Sequence, residues 1–370
     1  MAYAALGRSI ESSKLFKCND LSKFVDSIVT HLASSGVSRA TLFVCEYAGV
    51  QFLTKMVPYV KYPDMIPDEN TMYPADTEIE ILRIFREELI KKNITPCIIE
   101  LIYHKTCTGI SKHLKPWTKC EKILSDPAFK SINHLVDYIL CEYKDHIDNK
   151  VSYDVLSFLV LEKCDMSIEA FFTREPFTPA GLAIIKSILF HILYTLLVIR
   201  RMFPKFRHCD LHSNNVMLKF DPYYKFSAHN VKYFVYVIDG VEYSVPYFGI
   251  IPKIIDFGFS ILPERGIISA AVKNNPLVKY ETYDNEFIHL MGGLYTTAER
   301  HNMTNSAELD KLFRQLDPNR FYAVRAAALI RNNKNVPTYE DMIKSELWDE
   351  YRTISPTKQQ IYSRFTAVAE

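Results

Sequence analysis

Apolar residues recur at helical spacing through DLSKFVDSIVTHLA, residues 20 to 33, where Leu21, Phe24, Val25, Ile28, Val29 and Leu32 predict an amphipathic helix that Ser34-Ser35-Gly36 ends. The period then drops to two. TLFVCEY and QFLTKMV, between Thr41 and Val57, predict paired strands around an Ala48-Gly49 turn, with Lys55 inside the second strand. The prolines from Pro58 to Pro74 predict a connection, after which Asp76 or Thr77 caps a helix running to about Lys92, with Glu78 and Glu80 in its first turns. CIIELIYHK from Cys97 and VLSFLVLEK from Val155 read as further strands, separated by helical stretches such as NHLVDYILCEYKD. After Asp165 the pattern turns helical. The apolar stretch from Leu182 to Phe203 is interrupted by Lys186 and His191 and carries Arg200 and Arg201 near its end, which predicts a buried helix rather than a membrane span. Between Lys219 and Ile254, VKYFVYVIDGVEYSV predicts a hairpin turning at Asp239-Gly240, and the C-terminal third predicts helices and loops.

Composition narrows the class. Lys plus Arg number 44 against 43 Asp plus Glu, so no global field draws the chain to nucleic acid or an anionic membrane, and neither is an expected partner. With 48% hydrophobic residues the chain predicts a folded protein throughout. The cysteines at 18, 45, 97, 107, 120, 141, 164 and 209 form no Cys-x-x-Cys pair and no zinc-type spacing, so they read as reduced, mostly buried thiols. The N-terminus lacks a basic segment ahead of a long apolar core, and an intracellular, cytoplasmic setting is expected.

The chemistry-bearing residues lie in two places. His208-Cys209-Asp210-Leu211 with Asn215 follows the long apolar helix, and Asp256-Phe257-Gly258 follows a short apolar strand. Phosphoryl transfer needs a carboxylate to orient the attacking hydroxyl and oxygen donors for magnesium, and these residues supply both. The bland alternative is that Asp210 and Asn215 merely cap a loop and Asp256 begins a turn. The two segments resemble the protein-kinase signature H-R-D-L-x-x-x-N and D-F-G, in the same order and beside the same kinds of element.

That resemblance implies an α+β, two-lobed protein-kinase-like fold, with a small β-rich N-lobe carrying one main helix, a larger mainly helical C-lobe, and ATP between them. It implies Asp210 as catalytic base, Asn215 and Asp256 as magnesium ligands, and Lys55 as the strand lysine on the ATP phosphates. Glu78 resembles the helix glutamate that pairs with this lysine, with Glu80 a close competitor. Gly36 is a single glycine where the family's phosphate loop has three. Val160-Leu161-Glu162-Lys163-Cys164 resembles the adenine-binding hinge, so the Glu162 carbonyl and the Cys164 amide would contact adenine, with Leu161 as gatekeeper.

Departures from the pattern narrow the resemblance. Cys209 stands where regulated kinases have the arginine that receives an activation-loop phosphate, which implies activity without that modification. His212 takes the place of a lysine that steadies the transferred phosphate. The Asp-Leu-His loop, the hairpin ahead of Asp256 and the lack of an A-P-E motif together resemble the haspin-like kinases, and Asp284 resembles the aspartate that holds the catalytic loop. Similar compact kinases occur in large DNA viruses. The expected organisation is an N-terminal extension over 1–35, an N-lobe over 36–162 with an insertion at about 109–150 read first as padding, and a C-lobe over 163–370 with a hairpin insertion at about 219–253. The expected activity is transfer of the γ-phosphate of magnesium ATP to a serine or threonine of a protein. The alternatives are a small-molecule kinase of the aminoglycoside or choline type, and a pseudokinase scaffold. If the chain is viral, host cytoplasm or virion is the expected location, with a virion or scaffold partner.

Overall fold

A computed structural model describes residues 2–34, 40–114, 132–174, 178–225, 231–272, 286–300, 306–320, 322 and 336–367. The chain forms two compact units. The first comprises Met1–Arg83, Glu100–Lys163 and Ser269–Ala271, and the second Ile84–Ile99, Cys164–Ile268 and Val272–Glu370.

The first unit is built on strands β1 (Ile28–Ser34), β2 (Thr41–Tyr47), β3 (Val50–Val60), β4 (Leu101–Thr108) and β5 (Ser152–Glu162), in the spatial order β1-β2-β3-β5-β4 and antiparallel throughout. Ala48 and Gly49 close the β2–β3 hairpin at φ 53° and 74°, a twist that matches the flanking strands. The helix expected over 20–33 is a correction. Only α2 (Ser22–Ser27), which follows α1 (Ala2–Ser13), is helical there, and Ile28 onward forms β1. The β-branched run Ile28-Val29-Thr30 loses rotamer freedom in a helix, whereas the edge of β2 offers it a ladder of hydrogen bonds. Val29 and Leu32, which completed the helical stripe on paper, are 50% and 54% exposed.

One face of this sheet is covered by the chain's own N-terminus. Phe52 and Met56 on β3 and Phe158 and Val160 on β5 alternate toward a core shared with Leu6, Ile10, Phe16 and Phe24, and with Val136, Leu140 and Tyr143 of α4 (Ile132–Asp148). The helix from the expected insertion thus packs into a core. Gly7 lets α1 lie directly on β4, since a Cβ there would come within 2.7 Å of the Ile102 carbonyl oxygen. The reading of the cysteines as reduced thiols is overturned at three positions. Cys18 is bonded to Cys107, with Cα atoms 5.3 Å apart, and Cys141 is also disulfide-bonded, while Cys45, Cys97, Cys164 and Cys209 are thiols. The bonded pair is separated by 89 residues, so no local spacing signals it; packing of the N-terminal segment on β4 creates the juxtaposition. Replacing Cys18 and Cys107 with serine should cost roughly 2–5 kcal/mol of stability. Urea unfolding of the oxidised wild type and the double variant measures this, and coincident curves would mean that the bond contributes nothing.

In the second unit α5 (Ile168–Arg174) is followed by α6 (Pro179–Met202). Thr178 caps α6 by accepting a hydrogen bond from Gly181 N, 3.1 Å, and proline takes the first turn, where its missing N–H costs nothing. The most apolar window of α6 is 78% buried, consistent with a core helix. Strands β6 (Met166–Ser167), β7 (Val216–Phe220) and β10 (Ile250–Ile254) form a small sheet in the order β10-β7-β6. The expected hairpin is β8 (Lys232–Ile238) and β9 (Val241–Tyr247), turning at Asp239-Gly240, and Arg201 of α6 grips Asp239 through two nitrogens at 2.8 and 2.9 Å. Beyond β11 (Ile261–Leu262) and β12 (Ile267–Ile268), a paired hairpin, come α7 (Glu286–Arg300), α8 (Ser306–Leu316), α9 (Tyr339–Ile343) and α10 (Asp349–Thr353). The C-terminal third is not wholly helical as expected. IYSRFT forms β13 (Ile361–Thr366), parallel to β8, a partner too distant in sequence to leave a local signal.

Candidate active site

In the first unit Lys55 lies at the centre of the sheet, in register with Leu42 on β2 and Leu159 on β5. Its ammonium nitrogen is 2.7 Å from Glu78 Oε2 on α3 (Pro74–Phe85), and the two side chains are only 11% and 2% exposed. Glu80 instead binds Arg83 at 2.9 Å on the surface, so of the two glutamates left open by the sequence Glu78 is the one in contact. The helix starts at Pro74, ahead of the expected caps, and continues as a wider turn through Arg86–Ile90. Glu162 ends β5 and is buried. Its Oε1 accepts a hydrogen bond from Glu100 N, 2.9 Å, and its own amide donates to the Glu100 carbonyl, 3.0 Å. Leu161 is buried beside it. Cys164, a partly exposed thiol, opens the following segment of the second unit, and Gly36 lies outside the described residues.

In the second unit the antiparallel pairing of β7 and β10 sets the geometry. Val216 pairs with Ile254, and the Ile255 amide donates to the Asn215 carbonyl, 3.0 Å, so Asn215 before β7 and Asp256 after β10 emerge from the same end of the pair. Asn215 turns its amide nitrogen to the Asp210 carbonyl oxygen, 2.8 Å, and to Asp210 Oδ2, 3.1 Å. Because that nitrogen is occupied in holding the loop, the amide oxygen is the group left to face a cation. Asp256 sits at φ 62° and Cys209 at φ 66°, left-handed conformations that non-glycine residues adopt only where surrounding bonds impose them. Phe257 then buries its ring 4.9 Å from the His208 imidazole and 5.4 Å from Phe85. His208 Nε2 is 2.9 Å from the Ile255 carbonyl, which tethers the loop to the residue preceding Asp256.

His212 Nδ1 accepts a hydrogen bond from Asn214 N at 3.2 Å, which leaves Nε2, 3.8 Å from Asp210 Oδ2, as the nitrogen facing the carboxylate. Burial pushes the Asp210 carboxyl above the ordinary carboxylate range; Asp256 adds to that shift, while His212, His208 and the Asn215 hydrogen bond oppose it. Burial, with Glu286 and Asp210 adding repulsion, likewise raises the Cys209 thiol well above its usual value. A cation would relieve the Asp210–Asp256 repulsion. Among the described residues no cluster of three or more His, Cys, Asp or Glu is present, and the donors the sequence assigns to magnesium are one carboxylate, Asp256, and one amide, Asn215. This suits magnesium, which keeps waters and phosphate oxygens in its shell rather than requiring a full protein cage.

Sequence reasoning missed Glu286. Its two carboxylate oxygens accept hydrogen bonds from the amides of His208, 3.0 Å, and Cys209, 2.6 Å, and its own amide binds the Tyr339 hydroxyl, 3.1 Å. It is buried at the start of α7, where a negative charge also suits the helix end. Asp284, expected in this role, lies outside the described residues. The resemblance singles out Asp284 alone, although Glu286 is the acid that opens the helix and was the available signal.

Over 277 aligned positions the chain is 26% identical to a protein of Acanthamoeba polyphaga mimivirus whose provisional name is serine/threonine-protein kinase. In sequence the chain is thus similar to a protein named as a kinase. The alignment covers 70% of this chain and 65% of the relative, so the chain spans just under two thirds of that protein's length. A crystal structure of a kinase domain, 15% identical, matches 87% of this chain and 94% of its own with a TM-score of 0.38, too loose a superposition for any argument to rest on. No family model matches the chain.

Proposed function

We propose that this chain transfers the γ-phosphate of ATP to a serine or threonine hydroxyl of a protein. The buried Lys55–Glu78 pair at 2.7 Å carries the reading. Removing two charges from water is costly, and apolar residues of similar size would stabilise a plain scaffold as well or better, so a nucleotide-binding role explains a pair that a scaffold does not need. Lys55 would bind the α- and β-phosphates, held in place by Glu78. Asp210 would accept the proton of the attacking hydroxyl, and His212 would meet the transferred phosphate with its Nε2 proton. Asn215 and Asp256 would hold magnesium, which when bound neutralises charge on the phosphate oxygens. The Glu162 carbonyl and Cys164 amide would contact adenine. Cys209 has no positive charge to offer a phosphate, so no activation-loop modification is required.

Protein rather than small-alcohol substrates are favoured by the relative's name, and His212 is the residue shared with the small-molecule alternative. The disulfides remove the cysteine argument for a reducing cytoplasm. Incubation with γ-labelled ATP and magnesium against a panel of proteins and small alcohols should label serine or threonine in protein. Labelling of an alcohol alone would establish the second reading. Nucleotide binding without transfer to any acceptor would make the chain a scaffold.

A further inference from the structure

The three residues Ser269–Ala271 belong to the first unit although the chain on either side of them belongs to the second. Ser269 forms a parallel bridge with Met72, and the Ala270 amide donates to the Met72 carbonyl oxygen at 2.7 Å. Ser269 and Ala270 are fully buried, so this is an interior backbone contact. Met72 lies just ahead of α3, the helix that carries Glu78. The first turn of α3 has a second hold: Asp76 accepts the Tyr59 hydroxyl at 2.5 Å, and Tyr59 on β3 also meets Ser157 of β5 at 3.1 Å. The start of α3 is therefore fixed on one side by the sheet and on the other by a strap of chain that follows Asp256 in sequence.

We infer that Ser269 and Ala270 form a built-in positioning strap that sets Glu78 against Lys55 with no phosphoryl group on the segment after Asp256. The inference rests on the kinase reading for what the Lys55–Glu78 pair does, but not for the strap itself. A backbone hydrogen bond needs no modification to form. A phosphate on the buried Ser269 would have to leave the interior, because an ionised group costs several kcal/mol to bury unpaired, so modification there would open the strap rather than close it.

Ala270→Pro removes the donor, and Ala270→Gly keeps it. In the full chain after phosphatase treatment, the proline variant should raise KM for ATP at least tenfold and speed amide exchange through the helical segment around Glu78, while the glycine variant stays within about threefold of wild type; these thresholds are of the order expected for losing one buried hydrogen bond. Unchanged KM and exchange in a folded Ala270→Pro protein would overturn the strap, as would a wild type that loses its activity on phosphatase treatment. If the proline variant does not fold, exchange at the Ala270 amide of phosphatase-treated wild type decides: protection supports the strap and free exchange removes it. If wild type transfers no phosphate at all, the kinase reading fails, and the exchange comparison still tests the strap alone.

Discussion

Replacing Asp210 with asparagine lowers phosphate transfer by roughly 10²–10⁴-fold, the usual contribution of a positioned general base, while nucleotide binding persists. Asparagine keeps the shape and can still bond the Asn215 amide through its oxygen, so the catalytic loop is retained and only the proton acceptor is lost. Stability should move the other way. Burial raises the Asp210 carboxyl, so its neutral form is the one the fold favours; its contribution is present below the unfolded pKa and is lost as pH rises through the higher folded one. Near neutral pH the ionised Asp210 therefore works against folding, and the asparagine variant should melt no lower than wild type. The same shift places the acid limb of the wild-type rate profile above the ordinary carboxylate range, since the base must be ionised to act. Parallel transfer assays and melting curves check both parts. Equal activity in the two proteins would remove Asp210 from the chemistry, and a large drop in melting temperature would make it structural.

Glu286→Ala should cost about 2–6 kcal/mol, because it strands two buried backbone donors at roughly 1–3 kcal/mol each. The His208 and Cys209 amides lie next to Asp210, so the loss should also cut transfer even in the folded fraction. Cys209 is held at positive φ, and the carboxylate's bond to its amide is one of the contacts that fix that conformation. Glu286→Gln should fall between alanine and wild type, since its single carbonyl oxygen can serve one donor while its amide faces the other. Urea unfolding of the three proteins gives the order. Alanine and wild type unfolding together would show that the two amides find another acceptor.

Local pattern made the chemistry legible because each motif borders its own element. The strand that carries Lys55, the Asp239-Gly240 turn and the long buried helix ahead of Asp210 could all be read from a short window. Glu78 and Glu80 could not be separated that way, because the choice depends on which face of α3 meets β3, a matter of packing. The same limit hid β1, whose apolar spacing fits a helix until a neighbouring strand edge competes for it, and β13, whose partner β8 lies far upstream. It hid the disulfides as well. Buried and bonded cysteines share one signature, an apolar neighbourhood, and only the fold brings Cys18 to Cys107.

The N-terminal segment has a practical meaning for anyone trimming this chain. The kinase-like N-lobe read from the sequence begins at about residue 36, which invites removal of everything before it as a dispensable leader. Leu6, Ile10, Phe16 and Phe24 are nevertheless interior residues of the first unit, where Phe16 and Phe24 each lie 5.2 Å from the ring of Phe158. Cutting there would remove the N-terminal share of the core that, together with α4, covers Phe43, Phe52 and Phe158. The shortened protein would be prone to stick to itself, and an inactive, insoluble preparation would then say nothing about the activity of the full chain.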